Sequence, residues 1–276
     1  MIKQATLLFL ALGLTACSSM DHSTLPSNSG VSESLLEDMP KEWADSYAGN
    51  PEVQSFINRL VKEHAYDKER LELAFSHIKV RPKVIEKSDN QPEVITPFYE
   101  YKTRFVNKER ARLGREFAKR NVKWLRKAEQ EFGVEPNVIV ALIGVETYYG
   151  RITGSKDVFT SLTTLAFDYP RRKEYFQSEL EAYLLLARQE GWNIGATKGS
   201  YSGAMGMVQF MPSNYQKLAI DYDNNGHIDL WESEADAIGS VANYLKHHGW
   251  QSQQPWFVMA YAEDPDRVKD LINRGR

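Results

Sequence analysis

From Val138 to Val145 the chain reads Val-Ile-Val-Ala-Leu-Ile-Gly-Val, and only Gly144 lacks an apolar side chain. Glu135-Pro136-Asn137 opens this run as a helix, and so little polar surface suits a helix in the middle of a helical assembly. Val138, Ala141, Leu142 and Val145 make one face, and Ile139 and Ile143 widen it. One carboxylate, Glu146, stands where the run ends. Burial there disfavours the charged form and raises the pKa, so Glu146 is a candidate proton donor. Thr147-Tyr-Tyr-Gly150 follows with ring faces and hydroxyls suited to sugar. The plainer reading makes Glu146 a surface residue or an ion-pair partner of Arg151.

The rest of the chain is mainly α. Asn50-Pro51 starts a helix in which Val53, Phe56, Ile57, Leu60 and Val61 repeat at helical spacing. Asp67 caps a short helix with Leu71, Ala74, Phe75 and Ile78 on its apolar stripe. Pro82, Pro92 and Pro97 mark 81–97 as loop or extended chain. Tyr99 to Phe132 is helical with a break near Asn107; Phe117, Val122 and Leu125 mark its buried side, and its many Lys and Arg read as a solvated face or as attraction to an anionic polymer. Helices follow over 162–167, 173–190 and 235–248, the last two stopped by Gly191 and Gly249. No strand alternation of useful length appears, and minor extended segments are expected near 81–97 and in the Asp-rich loop after Asp221.

Met1-Ile-Lys3, an apolar run from Leu7 to Leu14, and Leu14-Thr-Ala-Cys17 resemble a bacterial lipoprotein signal. That resemblance implies processing of residues 1–16, lipid on Cys17, and, from Ser18, sorting to the outer membrane on its periplasmic side. Residues 17–38 read as a flexible tether and 39–276 as the folded domain. Cys17 is the one cysteine of the chain, so no disulfide forms within it. The net charge of −3 gives no bulk electrostatic reason for a nucleic-acid partner.

Glycosidic cleavage needs a proton on the leaving oxygen and stabilisation of an oxocarbenium-like centre, and most glycosidases use two carboxylates. Asp157 and Asp168 are the nearest acids after Glu146, and both read as easily as caps or turns. A second segment, Ser200-Tyr-Ser-Gly-Ala-Met-Gly-Met-Val-Gln-Phe-Met-Pro-Ser213, combines a proline-started helix with Gly203 and Gly206, which permit close backbone approach. Gln209 there can orient an amide or hydroxyl of a sugar, or simply satisfy backbone groups.

Gly144-Val-Glu-Thr-Tyr-Tyr-Gly150 together with Gly203-Ala-Met-Gly-Met-Val-Gln-Phe-Met-Pro212 resembles the membrane-bound lytic murein transglycosylase B family, over roughly Met39 to Gly249. The resemblance implies a lysozyme-like α-helical catalytic domain. It also implies cleavage of the bond between N-acetylmuramic acid and N-acetylglucosamine in peptidoglycan, leaving 1,6-anhydro ends. Glu146 then serves as acid and afterwards as base, because the muramoyl C6 hydroxyl is the nucleophile. Ser200 and Gln209 match polar groups near the acid, Tyr101 and Tyr244 match aromatics of the sugar groove, and Arg171 and Arg172 match a basic pair. Partners implied are glycan strands, the outer membrane through the lipid anchor, and other cell-wall enzymes. The family continues into a C-terminal helix preceded by a Tyr-Asn pair; no such pair follows Trp250, so that groove wall is expected to be absent or built differently. The alternatives are a hydrolytic muramidase and a non-catalytic peptidoglycan-binding or scaffold lipoprotein.

Asp221-Tyr-Asp-Asn-Asn-Gly-His-Ile-Asp-Leu-Trp-Glu232 has the spacing of an EF-hand-type calcium loop: Asp221, Asp223 and Asn225 at positions one, three and five, Gly226 at six, the carbonyl of His227 at seven and Glu232 at twelve. The plainer reading is an Asx-rich turn. In the family the closing carboxylate precedes Ala-Ile-Gly, here Asp236, which the resemblance favours over Glu232; the loop then spans 221–236. Calcium would be structural, and no organic cofactor is expected.

Overall fold

A computed structural model of the protein describes residues 46–90, 96, 98–256, 261, 263, 264 and 266. Cys17, the signal and the tether lie outside these residues, as do Pro92 and Pro97. The chain forms two compact units, one from residues up to Ser88 with Thr153–Lys217, the other from Asp89–Ile152 with the chain from Leu218 onward.

In the first unit, α1 (Pro51–His64) begins where Asn50 Oδ1 accepts the Glu52 N–H at 2.9 Å and Pro51 fills the first turn. Asp67 does the same for α2 (Lys68–Ser76), accepting from the Arg70 N–H at 3.1 Å. The apolar stripes of both helices meet α8 (Val158–Asp168), which packs on α9 (Lys173–Gln189): Phe56, Phe75, Phe159 and Phe167 meet edge to face, with centroids 5.7 Å apart for Phe56–Phe167 and 5.0 Å for Phe75–Phe159. Two short strands, β1 (Lys156–Asp157) and β2 (Lys198–Gly199), pair antiparallel.

Where loop or extended chain was expected, the described residues hold a helix, α3 (Pro82–Asp89), with Val84 buried. Pro82 opens it, because the first turn needs no N–H from that residue. Among the described residues the strands lie at 156–157 and 198–199, too short to show an alternating pattern.

The second unit contains α4 (Phe98–Tyr101), α5 (Lys108–Arg120), α6 (Val122–Phe132) and α7 (Pro136–Thr147); α11 (Glu234–His247) follows later in the chain, after α10 (Pro212–Leu218). The break at Asn107 is present, and its side chain accepts from the Arg110 N–H at 2.9 Å. A second break falls at Asn121, whose amide donates to the Phe117 carbonyl at 3.1 Å. The helix restarts there, which turns Val122 outward to 48 % exposure rather than into the core, while Leu125 and Ala128 face inward. Helix α7 packs on α5, α6 and α11 through Ile139, Ile143, Gly144 and Thr147. It is less enclosed than its composition suggests: Val138, Leu142 and Val145 are half-buried and Ala141 is exposed. Three neighbouring helices cover one stripe, and apolar character alone does not say which.

Candidate functional site

Glu146 is half-buried on the last turn of α7. The chain then reverses through two left-handed residues, Tyr148 (φ 56°) and Tyr149 (φ 62°), whose N–H groups return to the carbonyls of Gly144 and Ile143 at 3.2 and 3.3 Å. Non-glycine residues adopt this conformation only where the surroundings enforce it. Here the Tyr149 ring does so. It lies against two glycines: a Cβ on Gly144 would come within 2.6 Å of the ring, and one on Gly114 within 2.5 Å of its hydroxyl. That hydroxyl donates to the Arg110 carbonyl at 3.0 Å. The Arg110 guanidinium in turn donates to the Gly144 carbonyl and lies 4.6 Å over the Tyr148 ring. A cation at a helix C-terminus also suits the helix dipole. The end of α7 that carries Glu146 is therefore gripped by α5.

Tyr244, on α11, is buried. Burial pushes its hydroxyl pKa up, and the nearby Glu146 carboxylate adds to the shift. Its ring lies 4.3 Å from His248, whose imidazole pKa is lowered by burial and by His247. Tyr101 is half-buried, 5.0 Å from the Phe105 ring, with Arg104 over its face at 5.8 Å.

In the first unit, Ser200 Oγ ties the glycine-rich loop by accepting from the N–H groups of Ala204 and Ser202 at 3.0 and 3.3 Å. Gly203 (φ +90°) fits because a Cβ there would strike Leu162 at 2.5 Å. Gln209, 8 % exposed and again left-handed (φ 49°), spends its amide N–H groups on the carbonyls of Thr153 and Gly206 at 3.0 and 2.8 Å. Its carbonyl oxygen is the atom left to accept from a ligand. Arg171 is exposed; the Arg172 guanidinium stacks 4.1 Å over Tyr175 and so is more than a solvated turn. Asp157 caps α8 by accepting the Thr160 N–H at 2.7 Å, and Asp168 binds the Tyr47 hydroxyl. Both acids that follow Glu146 thus hold structural posts.

Glu146, Tyr101 and Tyr244 thus belong to the second unit, and Ser200, Gln209, Arg171 and Arg172 to the first. Sequence reasoning missed Arg110, read as one of many solvated basic residues, and Glu179. The latter is buried, which pushes its carboxyl pKa up, although Ser213 donates to it from backbone and hydroxyl at 2.9 and 2.7 Å. Its place three residues after Phe176 and four before Tyr183, on the apolar face of α9, is the signal that marks it as buried.

In the loop before α11, Asp221, Asp223 and Asp236 can each bring one carboxylate oxygen within 4.8 Å of the others. Asp221 accepts from the N–H groups of Asn225 and Gly226 at 3.0 and 2.8 Å, and Asp236 from those of Tyr222 and Asp229 at 2.8 and 2.9 Å. The Asp221 carboxyl is lowered in pKa: burial opposes this, but the backbone donors prevail. Asp236 is raised by burial and, against its backbone donors, by the neighbouring aspartates. Three convergent hard oxygens held by neutral backbone donors fit a divalent cation such as calcium. Glu232 is exposed and is not part of this group.

The family described as Transglycosylase SLT domain matches residues 48–274. The chain belongs to this transglycosylase family. The match runs past Gly249, where the motif resemblance had ended. The chain is 38 % identical to membrane-bound lytic murein transglycosylase B of Escherichia coli K12 over 95 % of its length and 76 % of that protein's. Among solved structures it resembles E. coli lytic transglycosylase SLT35 in complex with calcium, at 42 % identity and a TM-score of 0.71 over 76 % of this chain and 66 % of that one. It also resembles SltB3 of Pseudomonas aeruginosa in complex with NAG-anhNAM-pentapeptide, at 32 % identity and a TM-score of 0.66 over 74 % and 54 %. The mainly α, lysozyme-like fold class and the enzyme class, a lytic transglycosylase, are those expected from the motifs.

Proposed function

We propose that Glu146 is the single acid–base group of this enzyme. The chain is a lytic transglycosylase acting on peptidoglycan, opening the bond between N-acetylmuramic acid and N-acetylglucosamine. Protonated Glu146 gives its proton to the glycosidic oxygen as the C1–O bond breaks and the electron pair leaves with that oxygen. The Glu146 carboxylate then takes the proton of the muramoyl C6 hydroxyl while O6 bonds to C1. A 1,6-anhydro end forms, no water is consumed, and Glu146 returns protonated. Because the nucleophile belongs to the substrate, its attack is intramolecular and no second carboxylate is required. One observation carries the reading: Glu146 ends a helix locked by Arg110 and Tyr149, near enough to buried Tyr244 for its charge to raise that hydroxyl's pKa, while Asp157 caps α8 and Asp168 binds Tyr47.

Ser200, Gln209, Tyr101, Tyr244, Arg171 and Arg172 are proposed to bind substrate, Gln209 as an acceptor and the arginines through carboxylates of the peptide or lactyl group. Asp221, Asp223, Asn225, the His227 carbonyl and Asp236 are proposed to hold a structural calcium ion, which would neutralise the clustered aspartates. We place the lipid anchor on Cys17, holding the enzyme at the periplasmic side of the outer membrane. The support is the signal-like N-terminus and the membrane-bound relative; no helix among the described residues is long and apolar enough to cross a membrane.

Sacculi digested in heavy-oxygen water, with mass spectrometry of the released muropeptides, check the chemistry. Unlabelled anhydro ends are expected. Labelled reducing ends would make the enzyme a hydrolase, and sacculi bound but uncut would make it a scaffold.

A further inference from the structure

The first unit carries a cleft of about 370 Å³ between the start of α2 and the chain that leaves α9. Its size is that of a small-ligand site. Leu71, Leu184 and Ile194 give it an apolar lining, Tyr66 and Trp192 add ring surface, and Arg70 and Arg188 add positive charge. Arg188 is fixed in place: its guanidinium lies 4.2 Å over the Tyr66 ring and donates to the His64 carbonyl at 2.7 Å. Arg70 is paired only weakly, 3.6 Å from Asp67, and its side chain is 87 % exposed. Asp67 is itself occupied as the cap of α2. The Tyr66 hydroxyl is buried and has no hydrogen-bond partner among the described residues, a state that is costly for a polar group. All these residues belong to the first unit, whereas Glu146 belongs to the second.

Apolar walls with ring surface and two guanidinium groups call for a ligand with short aliphatic side chains and carboxylates. A bare sugar chain would leave the guanidinium groups without an anion. We propose that this cleft is a binding site for the acidic stem peptide of peptidoglycan, separate in its residues from the groups that act on the glycosidic bond. The choice of peptide rests on peptidoglycan being the substrate. Arg188 and Arg70 pair with peptide carboxylates, Tyr66 offers its hydroxyl, and Trp192 covers the aliphatic part. Such a site would hold the enzyme on peptide-bearing strands while leaving cleavage of peptide-free glycan untouched.

The test follows the indole N–H signal of Trp192 by NMR, assigned by its loss in Trp192→Phe, during titration with NAG-anhNAM-pentapeptide and with the same disaccharide lacking its peptide. The anhydro end leaves the probe with no muramoyl bond to cut. A saturable shift with the pentapeptide alone is expected, weakened at least tenfold in Arg70→Glu and in Arg188→Gln. An unmoved Trp192 signal, an equal response to the peptide-free sugar, or full binding by both arginine variants would overturn the proposal. Digestion of sacculi by the same samples separates it from the catalytic reading. Anhydro ends with an unmoved Trp192 sink the cleft alone. A Trp192 shift without any cleavage sinks the catalytic reading and leaves the peptide site standing.

Discussion

At the end of α7 one carboxylate stands with a buried tyrosine beside it; in the loop before α11 three carboxylates reach toward one another and are gripped by backbone N–H groups. Both regions belong to the second unit and both carry negative charge, yet their surroundings ask for different things. Clustered aspartates on neutral donors keep an excess of charge that a cation relieves. Glu146, on a helix end held by Arg110 and Tyr149, is on the proposed reading set to give and take a proton instead. The loop acids should therefore matter to stability and Glu146 to chemistry, and the two kinds of loss should not mix.

The largest stability effect is expected in the loop. Asp236→Ala strands the N–H groups of Tyr222 and Asp229, a loss of about 3 kcal/mol for one buried and one part-buried donor, or roughly 10 °C in Tm for a chain of this size. In the wild type, saturating calcium at about 100 times its Kd should add ~2.7 kcal/mol. Calorimetry with calcium and with chelator checks both, and a Tm indifferent to calcium would remove the contrast between the two regions.

Gly144→Ala probes the other side. Its Cβ would press on the Tyr149 ring at 2.6 Å, and overpacking of this kind costs about 1–3 kcal/mol. Denaturant unfolding should show that loss. Activity should fall as well, because the ring holds the reversal that follows Glu146. Unchanged stability would mean that Tyr149 is not the clamp described.

The smallest effect comes from a third cluster. Glu63, His64 and Glu181 could in principle hold a metal, but Arg59 already pairs with Glu181 at 2.5 Å and His64 meets it at 2.7 Å. Partial burial pushes the Glu181 carboxyl pKa up, and the hydrogen bonds from Arg59 and His64 outweigh it, so it lies below its ordinary value. A depressed folded-state pKa means stability that is present above the ordinary carboxylate range and lost as pH falls below it. Glu181→Gln should flatten the acid limb of the Tm–pH curve and leave the response to calcium unchanged. A calcium response that vanished in this variant would show that ligand type alone makes a metal site.

The caps at Asn50 and Asp67 were legible because each is settled by neighbours two or three residues away. Glu146 was legible because its contrast with Val138–Val145 lies in the sequence itself. Arg110 was not: its partner carbonyl, Gly144, is far along the chain, and an arginine among many basic residues looks solvated. The slot that Gly114 and Gly144 make for Tyr149 is equally hidden, since nothing local distinguishes a glycine that accepts a ring from one that ends a turn. Pro82 misled because the same residue breaks a helix from within and opens one at its first position.

The most direct test is Glu146→Gln, a near-isosteric change that removes the proton while leaving the helix end in place. Muropeptide release from sacculi should drop by ~10³-fold, within the span general acid–base groups contribute, with Tm and the calcium response kept at wild-type values. Anhydro product released at more than about a tenth of the wild-type rate by the folded variant would contradict the account.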